Sequence, residues 1–252
     1  MSVIQVVGGG SEWPSSPATD VNAADLVLAM PFNVSYDIRD VSHKVRGSGS
    51  EVRFTKRTAG VVPTFTTDSQ HYGTSCTIGA PIGGATRFFA SSFPTFSGDF
   101  TVEFYVKFAS FADAQIGFLV HHDNTNSGPA IILTGDTFAD PAARRSVYVN
   151  SGAFGSQTTY SAASSLPLNQ WTHVAVSRQG STLRIFIDGM YNVAYGGTLS
   201  YTFTYAGTLV LCAGASVNTP NTWNTVQVQD LRIYQGVAKY TSNFTPPGPI
   251  LV

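Results

Sequence analysis

Charge is what this 252-residue chain has least of: only 12% of its residues are Asp, Glu, Lys or Arg, about half the usual share. The charges that exist balance to a formal net charge of −1. Without a basic stripe there is no electrostatic drive toward nucleic acid, and without a polybasic cluster none toward anionic lipid, so both partner classes are set aside. Long apolar runs are missing too, since no stretch reaches the roughly 20 residues that cross a bilayer as a helix. The opening MSVIQVVGGG lacks the basic flank and long apolar centre of an export signal, so synthesis in the cytosol without standard export is the expectation. Cysteine is down to Cys76 and Cys212, too few and too far apart for a disulfide framework or a metal cluster. They read either as reduced, buried fillers or as one bridge.

What the chain does have is 24 Gly, 13 Pro and many Ser, Thr and Asn between short apolar runs. Residues 1–24 show no period that would bury a face and read as an N-terminal arm, although Val3, Ile4, Val6, Val7 and Trp13 suit docking on a neighbour as well as a solvated leader. Residues 25–252 read as one domain. Its clearest strand is 99–108, where Phe100, Val102, Phe104, Val106 and Phe108 fall on one face and Thr101, Glu103, Tyr105 and Lys107 on the other, as in a half-buried strand. Residues 182–188 repeat the pattern with Leu183, Ile185 and Ile187, and Asp188-Gly189 supplies a hairpin turn. Further strands are expected at 26–30, 52–55, 75–79, 86–90, 115–121, 130–134, 145–150, 157–160, 171–177, 192–195, 208–213 and 225–234, with surface loops near 135–144 and 214–224 and no sustained helical period. So many strands without alternating helices predict an all-β fold, a two-sheet antiparallel β-sandwich.

Three segments, in order, resemble the laminin G-like branch of the concanavalin A-like lectin/glucanase superfamily. They are Gly98-Asp-Phe-Thr-Val-Glu-Phe-Tyr-Val-Lys107, then Asn169-Gln-Trp-Thr-His-Val-Ala-Val-Ser-Arg178 with Leu183-Arg-Ile-Phe-Ile-Asp-Gly189, and Val228-Gln-Asp-Leu-Arg-Ile-Tyr234. The resemblance implies a jelly-roll sandwich over about residues 25–246. The run Gly236-Val-Ala-Lys-Tyr-Thr-Ser-Asn-Phe-Thr-Pro-Pro247, with Asp25-Leu-Val-Leu-Ala-Met-Pro-Phe32 and Asp37-Ile-Arg-Asp-Val-Ser42, is similar to laminin G-like domains of bacteriophage structural proteins. Architecture accounts for much of this: Trp171 is expected to cap the core, Asp188-Gly189 to turn, and Arg232 to pair with Glu103 or Asp230.

Retaining glycosidases need two carboxylates about 5 Å apart, and the resemblance implies a Glu-x-Asp-x-x-Glu strand for them. The chain has only Glu12, Glu51 and Glu103 and no such pattern, so no catalytic residue is assigned. His121 and His122 are adjacent on an expected strand and point to opposite faces, which does not suit one shared ion. His173 reads as a packing residue. Asp123, Asn124 and Asn126 offer oxygen atoms for the Ca²⁺ that laminin G-like relatives often hold, against an ordinary polar turn; no cofactor is otherwise expected. Trp223 among Asn218, Asn221 and Asn224 suits a glycan, and Tyr201, Phe203 and Tyr205 form an alternating row that suits packing or a protein contact. The resemblance implies a non-enzymatic virion surface protein, a capsid decoration (cement) protein assembled in the host cytoplasm. Its partners would be the major capsid protein, other virion proteins or copies of itself, and the alternative is an adhesin for a host-surface glycan. A hydrolase with dispersed carboxylates ranks below both.

Overall fold

A computed structural model of the protein describes residues 20–32, 39–57, 64–71, 73, 75–78, 87–90, 98–111, 115–122, 130–150, 158–198, 208–211 and 226–250. Fifteen strands run through these residues: β1 Leu26–Met30, β2 Thr55–Arg57, β3 Thr64–Thr66, β4 Ser75–Ile78, β5 Arg87–Ala90, β6 Phe100–Phe108, β7 Gln115–His122, β8 Ala130–Thr134, β9 Val147–Asn150, β10 Thr158–Tyr160, β11 Thr172–Gln179, β12 Thr182–Ile187, β13 Met190–Tyr191, β14 Thr208–Leu211 and β15 Val226–Gln235. One sheet has the order β13-β12-β11-β6-β15-β4-β3, with β1 also on β15; the second has the order β10-β9-β8-β7-β14-β5-β2. Every pairing between these strands is antiparallel. This is the expected all-β sandwich. The departures are small: β3 lies outside the expected strands, the strand expected at 52–55 is β2 at 55–57, the strand expected at 192–195 is instead β13 at 190–191, and a five-residue helix, α1 (Ser42–Arg46), follows β1.

The two sheets face each other across one core. Val102, Phe104, Val106 and Phe108 from β6 meet Val174 and Val176, Leu183 and Ile185, and Leu28 and Met30 from the same sheet. Ile131, Leu133, Val147 and Val149 close the cluster from the second sheet. β15 keeps its apolar residues on the core side by means of a bulge. Its buried core residues are Val226, Val228, Leu231 and Ile233, and the step of three between 228 and 231 breaks the period of two. The ladder with β6 shifts register between Gln229 and Arg232, and Asp230 takes φ +58° to absorb the extra residue. Beyond the bulge β15 exchanges one neighbour for another: β4 pairs with 226–228 and β1 with 231–234.

The outer face of the β6 sheet is not open to water. β6 is buried on both sides apart from a half-buried Lys107, which corrects the half-buried reading of its alternation. The cover is a strap of chain from Gly236 to Ile250. Thr101 Oγ1 donates to Val237 O at 3.2 Å and accepts from Lys239 N at 2.9 Å. Tyr105 Oη donates to Pro247 O at 2.9 Å. Tyr240 and Phe244 stack 3.5 Å apart over Phe186 and Ala175, and Ile250 packs with Leu26, Ala29 and Tyr234. The strap docks on the predicted hairpin turn. Asp188 and Gly189 take φ +49° and +78°, Phe244 N donates to Gly189 O at 2.9 Å, and a Cβ on Gly189 would lie 1.9 Å from Phe244 O. Gly189→Ala combines a left-handed φ with a backbone clash, and should cost on the order of 2–4 kcal/mol in urea unfolding; a cost below about 0.5 kcal/mol would show that the strap docks elsewhere.

Candidate functional site

Glu103 is the strand carboxylate singled out for a catalytic reading, and the strap closes over it. Its side chain is 1% exposed. Oε1 accepts from Lys239 Nζ at 2.9 Å, Oε2 from Tyr240 Oη at 2.6 Å. His173 Nε2 lies 3.4 Å from Oε2, and Arg232 Nη1 3.9 Å from Oε1. Burial alone would raise the carboxyl, but His173, Lys239 and Arg232 outweigh it and hold Glu103 well below the carboxylate range. Arg232 also grips Asp230 at 2.6 Å, so it pairs with both of the carboxylates expected for it. Asp20 joins the cluster from the N-terminal side, accepting from Tyr234 Oη and lying 3.4 Å from Lys239 Nζ.

Two imidazoles flank Tyr105 on this covered face. His173 is 1% exposed; its ring meets Tyr105 edge-on at 4.8 Å and Phe244 at 5.7 Å. Its backbone N–H donates to Asp188 Oδ1 at 2.8 Å, so it serves packing and the turn. His71 meets Tyr105 at 4.7 Å, and burial, then the charges of Arg232 and His173, push its pKa down to about 4. Trp171 does not join the central core cluster: it is half-buried and donates Nε1–H to Asp68 Oδ1 at 3.2 Å, because a buried indole N–H requires an acceptor.

The second sheet carries a different feature, a file of aromatic rings at its β10 end. Tyr148 and Tyr160 are direct partners across β9 and β10, their rings 6.1 Å apart and 4° from parallel. Tyr195 bridges to Tyr160 and continues the stack at 5.1 Å and 15°. Phe138 closes the inner end, edge-on to Tyr148 at 5.3 Å. The rings are progressively less covered: Phe138 is buried, Tyr148 and Tyr160 are half-buried, and Tyr195 is 59% exposed. Tyr195 is nevertheless held firmly. Tyr160 N donates to Tyr195 O at 3.1 Å and Ala194 N to Tyr160 O at 2.9 Å, and a Cβ on the next residue, Gly196 (φ +83°), would meet Thr158 O at 2.3 Å. Polar groups border the row. Tyr148 Oη and Thr158 Oγ1 are 3.1 Å apart. Burial first, then the neighbouring Asp140 carboxylate, raise the Tyr160 phenol above its ordinary value.

The glycan candidates Trp223, Asn218, Asn221 and Asn224, the Ca²⁺ candidates Asp123, Asn124 and Asn126, the Tyr201–Tyr205 row, Cys212 and residues 1–19 lie outside the described residues. His121 and His122 end β7, opposite Leu209 and Thr208. Among the described residues, no three His, Cys, Asp or Glu side chains are placed to hold a metal ion. The tyrosine row was missed from sequence because its members sit on three segments and only strand register brings them together.

Two outcomes follow from the covered cluster. Glu103→Gln leaves Lys239 and Arg232 short of a counter-charge and should cost about 3–5 kcal/mol in denaturant unfolding; a loss under about 1 kcal/mol would mean that the cluster is open to solvent. Because the folded-state pKa of His71 is depressed from 6.5 to about 4, the unfolded chain binds more protons between those values. Stability should therefore be complete above pH 6.5 and fall as pH drops toward 4. His71→Gln should flatten that slope in melts between pH 7 and 5, and an unchanged slope would assign it to other groups.

Comparison with known proteins agrees with this architecture. A laminin G-like family model of the concanavalin A-like lectin/glucanases superfamily matches residues 83–239. No curated protein sequence matches significantly. Among solved structures, the binding domain of botulinum neurotoxin serotype C1 superposes with a TM-score of 0.62 at 10% identity, over 86% of this chain and 50% of that one. Domain 4 of AbnA, a GH43 extracellular arabinanase from Geobacillus stearothermophilus, solved with arabinotriose, superposes with a TM-score of 0.59 at 15% identity, over 84% of this chain and 93% of that one. The binding domain of Paraclostridial Mosquitocidal Protein 1 gives 0.56 at 15% identity, over 84% and 49%. The chain thus spans about half the length of the toxin domains that it matches. At these identities the likeness is one of fold, and with the family match across more than half of its length the chain belongs to the concanavalin A-like lectin/glucanase superfamily, in its laminin G-like branch.

Proposed function

We propose that this sandwich is a non-enzymatic recognition module that binds a glycan. The observation that carries the reading is the state of Glu103. A glycosidase needs one carboxyl group that can deliver a proton and a second that can attack or activate water, both within reach of the sugar. Glu103 and Asp230 are instead bridged by one guanidinium beneath the strap, and Glu103 is held ionised. The superfamily and the neighbours support recognition: the AbnA domain was solved with arabinotriose, and the structural neighbours include toxin binding domains. The Trp223 loop and a Ca²⁺ held by Asp123, Asn124 and Asn126 belong to the same reading as candidates.

The setting we propose is the surface of a bacteriophage virion, in the manner of a capsid decoration protein, with the major capsid protein or further copies of the chain as partners and residues 1–24 as the attaching arm. The similarity of residues 236–247, 25–32 and 37–42 to phage structural domains supports it; residues 236–247 lie in the strap and residues 25–32 contain the first strand. A tail-fibre or cell-surface adhesin is the alternative setting.

A screen of soluble polysaccharides and a glycan array should show saturable binding with no release of reducing ends. Turnover would overturn the non-enzymatic reading, and an empty screen would overturn the glycan. Mass spectrometry and immunogold labelling of purified particles from the source should find many copies over the shell; labelling at a tail tip alone would select the adhesin, and absence from particles would remove the virion setting.

A further inference from the structure

A stack of aromatic rings that ends in water is an unfinished structure. Phe138 buries the inner end of the file and Tyr195, 59% exposed, leaves the outer end open. An exposed aromatic ring is a normal surface feature when it stands alone, but this one is the last member of a graded series and is fixed in backbone. Hydrogen bonds tie residues 194 and 195 to Tyr160, Gly197 N donates to Thr159 Oγ1 at 3.0 Å, and Gly196 sits where no side chain fits. Little ordering entropy would therefore be lost when a ligand meets the ring.

The polar groups around the row select the ligand's chemistry. Asp140 neighbours Tyr160 and caps an exposed 3-10 turn, where its Oδ1 accepts from Ala142 N at 2.9 Å. It supplies a side-chain acceptor next to aromatic surface, the pairing suited to a ligand with one C–H face and a rim of hydroxyls. The same carboxylate disfavours acidic groups. Of the neighbouring cations, Arg145 is paired with Asp136 in a two-pronged bond, and Arg144 Nε donates to Phe138 O at 2.9 Å.

We propose that the open face of Tyr195, with Tyr160 and Asp140 beside it, is a binding site for a neutral sugar, whose apolar face extends the stack by one member while Asp140 accepts its hydroxyl protons. The assignment rests on the glycan reading above and places that reading at the β10 end of the second sheet, on residues separate from the Trp223 loop. A protein side chain at this face is the competing occupant that the test must separate.

The test uses the full chain in affinity electrophoresis against neutral polysaccharides (arabinan, xylan, mixed-linkage β-glucan, galactomannan) and acidic ones (polygalacturonate, polysialic acid), with hits quantified by calorimetry. The expected result is retardation by at least one neutral polymer and none by the acidic ones. Tyr195→Ala should weaken binding about tenfold or more, and Tyr195→Phe should stay within about threefold. Unfolding midpoints equal to the parent's would confirm that the variants remain folded. Neutral binding that survives Tyr195→Ala but is lost in Trp223→Ala overturns this site and leaves the glycan reading standing. Binding confined to acidic polymers overturns the neutral assignment. No binding to any polymer, while the row still mediates a protein contact, overturns both.

Discussion

A carboxylate placed in the middle of a sheet and shut away from water must be neutralised where it stands, and the outer face of the first sheet is arranged around that requirement. Glu103 draws Lys239 and Tyr240 down from the strap, Arg232 across from β15 and His173 from β11. These contacts come from segments far apart in sequence, so the charge acts as a rivet between them. The apolar contacts of Tyr240, Phe244 and Ile250 then complete a third layer over a sheet already packed on its other side. Removing a partner from such a group is far costlier than never having placed the group there, which is why its contribution is to uniqueness of the docked arrangement as much as to net stability.

Much of this architecture was legible in the sequence. Alternation gave β6 and β12 their core faces, and Asp188-Gly189 gave the turn, because period and turn chemistry are local properties. The bulge was legible in principle: apolar residues at 226, 228, 231 and 233 skip a beat where one residue is added. The burial of the other face of β6 was not legible. Thr101, Glu103 and Tyr105 read as a solvent face, and their cover is a stretch rich in Thr, Pro and Gly that has no period of its own. Nothing local says that such a stretch lies down on a sheet. Arg232, expected to pair with Glu103 or Asp230, meets both, because a buried guanidinium needs counter-charge.

The two sheets have divided their surfaces. On the first, side chains that could do chemistry are consumed in holding the strap. On the second, the β10 end leaves Tyr195 uncovered and keeps it rigid with segment 192–198, which touches β10 on one side and β12 on the other through Leu183 N and Gly197 O. That segment is therefore both the side wall of the sandwich and the support of the row, so changes there should couple packing between the sheets to the position of the aromatic stack.

The first strand carries a consequence for how the chain reaches this state. Among the described residues, β1 pairs with one strand, β15, which comes late in the chain and whose outer side then awaits the strap. The Asp40 carboxylate, which accepts from Ala29 N, Ser42 N, Ser42 Oγ and Val52 N, can gather the opening segment locally but gives β1 no neighbour to pair with. A ribosome that has made the first two hundred residues has produced a sheet without its centre, and a β1 edge exposed to any other unpaired strand nearby. The first sheet therefore closes only once the strap has been made, slowly as non-local β topologies do, and its vulnerable interval is the one in which β1 waits for β15.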